Sequence, residues 1–468
     1  MGGQRTFGEF KGLPEGGQKK GLQTTLQNEV VQEIEALIGR QAIQDLDFEA
    51  LEMAARRQAL RLAARALEQR LNADTSDHSS AERTCPCGSP ARYCGRHSKT
   101  FESVLGPLHL ERAYYHCEKC GSGFCPRDAF LQMGKFSLTP GVLRMTASVA
   151  ALVSFEESHS LLHELAGVEV NAKQVERAAE ALGSEIADYE RVCLDQTGEI
   201  APTMYLGLDG TGVPMRASEL SGRKGKQPDG SAKTQEAKVI AIWSAEARDA
   251  EGKPVRDKGS VSYSAALESA AMLDTDLKRS DLAERVLREA ARRGFTQAAR
   301  CATLGDGAPW IWNTSTELFP QAIQILDRFH AKEHLSTVGK IIYGADTPPA
   351  KQWIQRRYDQ LDDGKIDPLL KALDRHAAKY EEARKCADYV RRNRHRMRYA
   401  EFHAQGLCTS TGVLEAGCKI VVGTRLKRGG MHWTGHGANA IMALRCCKLS
   451  ARFEDFWEYR ADRMKATA

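Results

Sequence analysis

The sequence has no run of 18 or more consecutive apolar residues, the length that a membrane-spanning helix requires. Its first twenty residues are rich in glycine and lysine and contain no apolar stretch of the kind found in secretory signals. It also has no Gly-Lys-Ser/Thr phosphate-binding loop, which argues against an ATP-driven motor. These absences predict a cytoplasmic protein with no membrane partner.

Charge and cysteine content constrain the chain further. A net charge of +5 over 468 residues is too small to indicate nucleic-acid binding by itself, so local charge clusters are more informative. The cysteines number 13, and an odd count in a chain without a secretory signal favours reduced thiols, some on a metal, over disulfides. The chain is too long for one compact core, so two or three domains are expected.

Composition and hydrophobic periodicity predict seven segments. They are a disordered tail (1–23), an N-terminal helical region and linker (24–84), a cysteine-bearing module (85–130), a helical region (137–200), an α/β region (203–334), an all-helical region (335–405) and C-terminal helices (406–468). In the fourth segment, a turn at Gly167 and a helix start at Asn171 are compatible with a DNA-binding helix-turn-helix. A bundle of three short helices would give the same pattern.

The α/β region contains five short, β-prone apolar runs. They lie at 204–208, 237–243, 259–263, 301–304 and 322–326, and a helix at about 274–293 separates the third from the fourth. A three-strand meander followed by a helix and two further strands predicts a mixed α/β sheet.

The cysteine-bearing module has two knuckles, each followed by glycine. Cys85 and Cys87 form the first knuckle, and Cys117 and Cys120 form the second. Four thiolates hold Zn²⁺ tetrahedrally and glycine permits a tight turn, so the pattern predicts a zinc ribbon with a structural zinc ion. The first knuckle is one residue shorter than usual, which leaves a ribbon that has lost its metal as the alternative. The same short spacing leaves four replacement ligands open: Cys94, His97, His116 and Cys125.

Three aspartates stand where predicted strands end. Asp209 and Asp306 are each followed by glycine, and Asp327 precedes Arg-Phe-His. An acid at the end of a buried strand is costly unless it is paired, exposed or bound to a cation. Two aspartates on neighbouring strands and an acid on a helix, here Glu415, can hold two Mg²⁺ or Mn²⁺ ions for phosphodiester cleavage. A single Asp-Gly pair is more often a turn, but two in one α/β region favour a metal site.

Four motifs resemble those of the Kra-type insertion-sequence transposases, bacterial relatives of the Mutator superfamily. The motifs are LDGTGVP at 208–214, LGDGAPWIW at 304–312, ILDRFHAKEHL at 325–335 and VVGTRLKRGGMHW at 421–433. The resemblance covers roughly residues 85–457, and the four motifs in this order are specific.

The resemblance implies a multidomain α/β protein with an RNase H-like catalytic core (203–334), interrupted by an all-helical insertion (335–405). By this resemblance Asp209, Asp306 and Glu415 are the three catalytic acids. Asp327 and His330 match a superfamily motif in which the histidine acts near the scissile phosphate. Glu333 is the alternative third acid, because it follows Asp306 at the short distance of transposases that lack an insertion.

Two basic clusters are predicted to contact DNA. The first comprises Arg391, Arg392, Arg394, Arg396 and Arg398, in one short helical stretch without acids; a solvated helical face is the alternative. The second follows Glu415: Arg425 and Lys427 are predicted to hold phosphates beside the metal ions, with Arg428 next to them. Trp433 either stacks on an unpaired base or lies in the core.

These observations together predict a bacterial, nucleoid-associated transposase. It would use Mg²⁺ or Mn²⁺ to cleave transposon ends and join the 3′-hydroxyl to target DNA, with a structural Zn²⁺ and no covalent protein–DNA intermediate. Its partners would be the terminal inverted repeats, target DNA and further copies of itself in a synaptic complex. The alternatives are a structure-specific nuclease on the same core and a non-catalytic DNA-binding protein derived from a transposase.

Overall fold

The computed structural model describes residues 47–134, 136–194, 198–222, 232–270 and 279–466, together with residues 32, 225 and 227. The predicted tail (1–23) and most of residues 24–46 lie outside the described residues. The described residues divide between two compact units. The first takes its members from Met1–Arg144, Leu161–Val170 and Arg463–Ala468, and the second from Met145–Ser160 and Asn171–Asp462. None of the described helices is long and apolar enough to cross a membrane.

The first unit is built on an antiparallel sheet. Its elements are helix α1 (Phe48–Ala73), strands β1 (Glu82–Thr84), β2 (Pro90–Ser103), β3 (Gly106–His116) and β4 (Gly123–Phe124), and helix α2 (Pro126–Phe130). The strands pair in the order β1-β2-β3-β4. Asp47 caps α1 by accepting a hydrogen bond from the Ala50 amide, and Ala64 of that helix packs against Phe101 and Leu110 of the sheet. The sheet carries the cysteine-bearing module.

The second unit contains a five-stranded mixed sheet. Its strands are β5 (Thr203–Pro214), β6 (Thr234–Ser244), β9 (Ser262–Ala266), β10 (Arg300–Gly305) and β11 (Ile323–Leu326), and a small hairpin, β7 (Ala247–Arg248) with β8 (Pro254–Val255), follows β6. The order is β11-β10-β5-β6-β9, with β5, β6 and β9 antiparallel and β10 parallel to both neighbours. The predicted mixed α/β fold is therefore confirmed, although the third strand starts three residues later than expected.

Helices account for most of the remaining described chain. They are α3 (Pro140–Ala150), α4 (Phe155–Leu161), α5 (Ala172–Val192), α6 (Asp281–Arg292), α7 (Pro309–Leu318), α8 (Arg328–Tyr343), α9 (Pro348–Asp362), α10 (Ile366–Ala377), α11 (Glu381–Asn393), α12 (Tyr399–Ala404), α13 (Gly412–Gly417), α14 (Thr424–Leu426), α15 (Gly435–Leu449) and α16 (Phe453–Ala466). Residues 335–405 contain helices and connecting turns and no strand.

Local sequence explains several helix boundaries. Asn171 starts α5 with a capping box, in which its side chain and that of Gln174 each accept a hydrogen bond from the other residue's amide. Gly167 adopts the left-handed conformation, with φ of 67°, at the end of the π-helical turn Leu162–Ala166. The predicted turn and helix start are thus present. Within the second unit, α5 packs closely on α15, because a methyl group at Gly183 would overlap the Ala440 carbonyl.

Candidate active site and cysteine cluster

The three aspartates lie toward the same end of three neighbouring strands of the mixed sheet. Asp306 and Asp327 directly follow β10 and β11, but the expectation that Asp209 ends its strand is wrong, because β5 continues to Pro214 in its pairing with β6. In the parallel pairing of β10 with β5, Leu304 is opposite Gly207, and the same register continued two residues brings Asp306 level with Asp209. In the parallel pairing of β10 with β11, Gly305 is opposite Leu326. The next residue after each strand, Asp306 and Asp327, therefore follows at the same height along the sheet. The Asp327 amide donates a 2.8 Å hydrogen bond to the Gly305 carbonyl, and this bond holds the two chain segments together just beyond the paired strands.

Asp209 is partly buried, and its carboxylate is held by two hydrogen bonds. One oxygen accepts from the Gly210 amide at 2.6 Å, and the other accepts from the Cys418 thiol at 3.2 Å. Burial raises the pKa of the Asp209 carboxyl, and the negative charges of Asp306 and Glu236 raise it further, against the lowering effect of the two hydrogen bonds. A bound cation would relieve this unfavourable concentration of negative charge.

Asp306 sits in a tight turn directly after β10. Its carboxylate accepts a 2.9 Å hydrogen bond from the Ala308 amide, and its carbonyl accepts one of 2.8 Å from the Tyr389 hydroxyl. Gly307 has a φ of 101°, a backbone conformation that favours glycine, and a Cβ there would lie only 2.6 Å from the Tyr389 ring. Tyr389 belongs to α11, so the all-helical stretch directly supports the turn that carries this acid.

Glu415 is exposed on α13, and that helix packs against β5. A Cβ at Gly207 would lie 3.3 Å from the Leu414 side chain, which places the residue next to Glu415 over the strand that carries Asp209. Cys418, three residues after Glu415, reaches Asp209. Burial raises the pKa of the Cys418 thiol, and the charges of Asp209 and Glu415 raise it further, because both acids lie close to this sulfur.

The three predicted acids are brought together only in part. Among the described residues, the four zinc-ribbon cysteines form the one group of three or more candidate metal-ligand side chains whose ligand atoms all lie within 4.8 Å of one another. Asp209, Asp306 and Glu415 therefore have at least one carboxylate separation beyond 4.8 Å. Asp209 and Asp306 belong to neighbouring strands and Glu415 to a helix that packs on β5, but the three carboxylates do not form one compact group.

Asp327 is buried, and both of its oxygens are engaged in structural hydrogen bonds. One oxygen accepts from the Phe329 and His330 amides at 2.6 and 3.0 Å, which caps the start of α8. The other accepts from the Thr411 amide at 2.7 Å and from the Thr411 hydroxyl. Because Thr411 immediately precedes α13, Asp327 ties the sheet edge to the helix that carries Glu415.

An aromatic cluster lies beside Asp306. The ring of His334 is centred 4.9 Å from that of His330 and 4.4 Å from that of Tyr389. Burial lowers the pKa of His334, and a positive charge on His330 would lower it further. Glu333, the alternative third acid, is exposed, and its carboxylate lies 3.4 Å from Nδ1 of His330.

Sequence reasoning missed two neighbours of the acids, Cys418 and Tyr389. Cys418 carried a usable signal, because a residue three positions after Glu415 falls on the same helical face. Tyr389 carried none, because it precedes a run of arginines and contacts a turn more than 80 residues earlier in the chain.

The first basic cluster differs from its prediction in shape and in pairing. It covers the end of α11, a 3₁₀ turn and the residue before α12 instead of one helix. Most of its arginines form ion pairs with acids. These acids lie either far away in the sequence or three residues from the arginine. Arg391 contacts Asp374 and Asp388, Arg394 contacts Asp367, Arg398 contacts Glu401, Arg396 donates to the Gln324 and Asn393 side chains, and Arg392 donates to the Asp388 carbonyl. The run itself contains no acid, as the sequence shows, but acids outside it pair with three of its five arginines, and exposed pairs of this kind are weak.

The second basic cluster is split between core and surface. Arg425 is fully buried, donates a 3.0 Å hydrogen bond to the Ala150 carbonyl and lies over the rings of Phe155 and Trp433. Trp433 is also buried, and its indole donates to the Leu426 carbonyl at 2.9 Å. A buried side chain does not reach DNA, so the structure gives Arg425 and Trp433 a core role in place of the predicted contact.

Lys427 and Arg428 remain at the surface. Lys427 contacts the Thr211 hydroxyl, two residues beyond Asp209 on β5, so it is an exposed cation at the same sheet edge as the acids. Arg428 pairs with Glu157 through both of its terminal nitrogens, and this contact lowers the pKa of the Glu157 carboxyl to about 2. Both residues are accessible to an anionic partner.

The four predicted zinc ligands form a compact cluster in the first unit. The sulfur atoms of Cys85 and Cys120 are 3.6 Å apart, and those of Cys87 and Cys117 are 3.7 Å apart. Four thiolates at a Zn–S distance of about 2.3 Å place neighbouring sulfurs about 3.8 Å apart, so the cluster has the size of a tetrahedral zinc site. The four cysteines could therefore hold a zinc ion.

Both knuckles close with a glycine in the left-handed conformation, and the first turn is one residue shorter than the second. Gly88 and Gly121 have φ values of 82° and 68°, and each amide donates to the carbonyl of the first cysteine in its knuckle. Hydrogen bonds from Ser122 lower the pKa of the Cys120 thiol to about 6, which favours the thiolate that binds metal. The short first knuckle thus reaches the cluster without help from the alternative ligands Cys94, His97, His116 and Cys125, none of which belongs to the group.

Comparisons with known proteins give a family and a distant likeness to solved structures. A family model described as an uncharacterised protein family (UPF0236) matches residues 91–455. No curated protein matches the chain. Among solved structures, the Drosophila P element transposase strand transfer complex matches with a TM-score of 0.24 and 10% sequence identity, over 69% of this chain and 80% of that chain. A TM-score this low does not establish a shared fold.

Proposed function

The chain belongs to the uncharacterised protein family UPF0236, and we propose that this member is a DDE transposase of the Kra-type insertion-sequence class. It would cleave DNA at transposon ends and transfer the freed 3′-hydroxyl to target DNA. One observation carries the proposal: Asp209 on β5 and Asp306 directly after β10 belong to neighbouring parallel strands whose register pairs Leu304 with Gly207, and the helix of Glu415 packs on the strand of Asp209. The sheet order, with a three-strand meander followed by two parallel strands, supports an RNase H-like core.

The donor set suits hard divalent cations. Asp209, Asp306 and Glu415 offer carboxylate oxygens, the ligands that Mg²⁺ and Mn²⁺ prefer. Two such ions, about 3.5–4 Å apart, would activate the attacking hydroxyl and stabilise the leaving oxygen. Acids that serve two ions need not share one coordination shell, so a carboxylate separation beyond 4.8 Å fits this arrangement.

Other side chains of the unit would position the acids and the DNA. Cys418 and Gly210 orient the Asp209 carboxylate, and Tyr389 holds the turn of Asp306. Lys427, exposed beside Thr211, would contact a phosphate next to the scissile one. His330, on the aromatic cluster beside Asp306, would act at the scissile phosphate.

The partners in this proposal are DNA and further copies of the chain. Terminal inverted repeats and target DNA would contact the exposed cations, including Lys427, Arg428 and Arg392. The cysteine cluster would hold a structural zinc ion that stabilises the first unit. The helical region at 137–200 would contribute to DNA binding, and a homo-oligomer would bring two transposon ends together.

The test is cleavage and joining of the element's own DNA. Purified protein is incubated with Mg²⁺ or Mn²⁺, a plasmid that carries the DNA flanking the gene, and a second plasmid as target. We expect nicked donor and joined donor–target molecules. Asp209→Asn, Asp306→Asn and Glu415→Gln each remove a metal ligand worth several kcal/mol in the transition state, so each rate should fall by about 100-fold or more.

Glu382→Gln is the matched control, because Glu382 is an exposed glutamate on α11 and its replacement should leave the rate unchanged. Nicks without joined products would identify a structure-specific nuclease instead. A chain that binds the flanking DNA but produces neither product would be a non-catalytic DNA-binding protein. Titration of Mn²⁺ by calorimetry, with Asp209→Asn in parallel, reports metal binding independently of DNA.

A further inference from the structure

An open groove of about 600 Å³ runs along α8, the helix that starts at the catalytic sheet edge. Phe329, Lys332, Ser336, Lys340 and Tyr358 line it, and Glu333 contributes a carboxylate. The groove follows one continuous face of α8 over three turns, because the lining positions 329, 333, 336 and 340 have helical spacing. His330 and His334, on the adjacent face, contact the aromatic cluster beside Asp306.

Phe329 is the unusual member of this face because it is an exposed aromatic side chain. It is 57% exposed, although burial of a phenylalanine normally stabilises a protein. The Phe329 amide donates to Asp327, and the Arg328 guanidinium, paired with Asp362, lies 5.6 Å from the centre of the Phe329 ring. A solvent-facing ring two residues after Asp327 is suited to stacking.

The charges along the groove differ in their availability. The Lys332 ammonium already has partners within the protein, because it donates to Asp362 at 2.6 Å and lies 4.9 Å from the centre of the Tyr358 ring. Lys340, about two turns further along α8, is exposed and forms no ion pair with any described residue. Glu333 lies against His330. The available cation of the groove therefore stands at the end away from the acids.

We propose that this groove binds unpaired nucleotides of the DNA strand that is being cut, with a base stacked on Phe329 and a phosphate on Lys340. The proposal rests on the proposed function, because it takes the scissile phosphate to lie at Asp209 and Asp306. An unpaired base next to that phosphate can stack on an aromatic side chain whatever its sequence, because every base has a π-face. An exposed ring next to the acids would receive a base, and a free ammonium group further along would receive the backbone.

Binding is measured with a fluorescent single-stranded oligonucleotide taken from the transposon end, on full-length protein in the Asp209→Asn background so that no strand is cut. A stacked base is worth about 1–3 kcal/mol, so Phe329→Ala should weaken binding by roughly tenfold or more, and Phe329→Trp should preserve it. Phe130→Ala, the same change at a phenylalanine that is 72% exposed in the other unit, should have no effect. Duplex of the same sequence should bind Phe329→Ala as tightly as the parent.

Lys340 is tested through salt dependence. Each phosphate contact in a single strand contributes about 0.7 to the slope of log K against log salt, so Lys340→Gln should lower the slope by about that amount. Lys371→Gln is the paired control and should leave the slope unchanged, because Lys371 is exposed on α10 and does not line the groove. A 2-aminopurine placed next to the cleavage site should lose fluorescence on binding in the parent and regain it in Phe329→Ala.

The outcomes separate this proposal from the proposed function. Cleavage by the wild type together with equal single-strand binding by Phe329→Ala and Phe130→Ala would overturn the groove and leave the transposase activity intact. Absence of any cleavage together with weakened binding by Phe329→Ala would support the groove while the catalytic proposal fails. Circular dichroism and thermal unfolding of each variant identify a loss that comes from misfolding, and Phe329→Trp then provides the second measurement.

Discussion

Arg425 and Arg428 stand three positions apart in the chain, and sequence alone predicts the same DNA contact for both. The structure separates them: Arg425 is fully buried between Phe155 and Trp433, and Arg428 is exposed beside Glu157. Burial lowers the pKa of the Arg425 guanidinium to about 10, which remains far above neutral pH, so the group stays charged inside the core. Its charge is compensated by a carbonyl and by two ring faces.

Arg425→Ala should therefore destabilise the protein, by about 2–4 kcal/mol in urea unfolding, because it leaves a cavity between two rings and an unpaired Ala150 carbonyl. Arg428→Ala should change stability little, since its ion pair is exposed, and should instead weaken DNA binding at low salt. Unchanged stability of Arg425→Ala combined with weaker DNA binding would restore the prediction made from sequence.

At the scale of elements, α11 and the turn after β10 are joined by a single side chain. The Tyr389 hydroxyl donates to the Asp306 carbonyl, and its ring fills the space beside Gly307. Tyr389→Phe removes only the hydroxyl, so stability should fall by about 0.5–1.5 kcal/mol. A small displacement of the proposed catalytic acid Asp306 should cost more than this, so we expect the cleavage rate to fall by about tenfold or more.

Tyr380→Phe is the matched control for this prediction. Tyr380 precedes α11, and its hydroxyl forms no hydrogen bond with any residue that the structure describes. The Mn²⁺ affinity measured by calorimetry distinguishes the two roles, because a purely structural tyrosine would leave metal binding unchanged. Equal cleavage rates for Tyr389→Phe and Tyr380→Phe would show that the tie to Asp306 does not position the acid.

Local pattern predicted the elements better than the contacts between them. Apolar runs located all five strands of the mixed sheet, because a buried strand needs a continuous apolar stretch wherever it lies in the chain. Strand register, in contrast, depends on distant partners: nothing near Asp306 indicates that Leu304 pairs with Gly207. The same limit applies to Arg425, whose carbonyl partner at Ala150 is 275 residues away.

The candidate site residues divide in the same way: local sequence predicts some of them, and others depend on contacts between distant parts of the chain. The four cysteines were predictable because zinc ligands occur in short knuckles whose spacing is local. The acids Asp367 and Asp374, which pair with the first basic cluster, lie on α10 and could be found only once α10 and α11 were packed together. Asp327 was recognised as part of a motif, but its use as a cap for α8 and a tie to Thr411 required coordinates.

At the scale of the whole molecule, the cysteine cluster belongs to one compact unit and the acids to the other. Binding of zinc to a ribbon of this kind contributes about 10–16 kcal/mol that is largely folding free energy. Because the cores of the first unit, centred on Phe101 and on Tyr115, are small, we expect that unit to depend on zinc for its folding. The second unit has its own buried sheet, so we expect it to fold without the metal.

Metal analysis should therefore find one zinc ion per chain, and calorimetric unfolding should show two transitions. Cys120→Ser, or removal of zinc with a strong chelator, should lower or abolish the first transition and leave the second within a few degrees of its original temperature. Cys94→Ser is the control, because Cys94 is exposed and lies outside the cluster. If both transitions fell together, folding of the sheet that carries the acids would depend on the ribbon, and the two units would unfold as one.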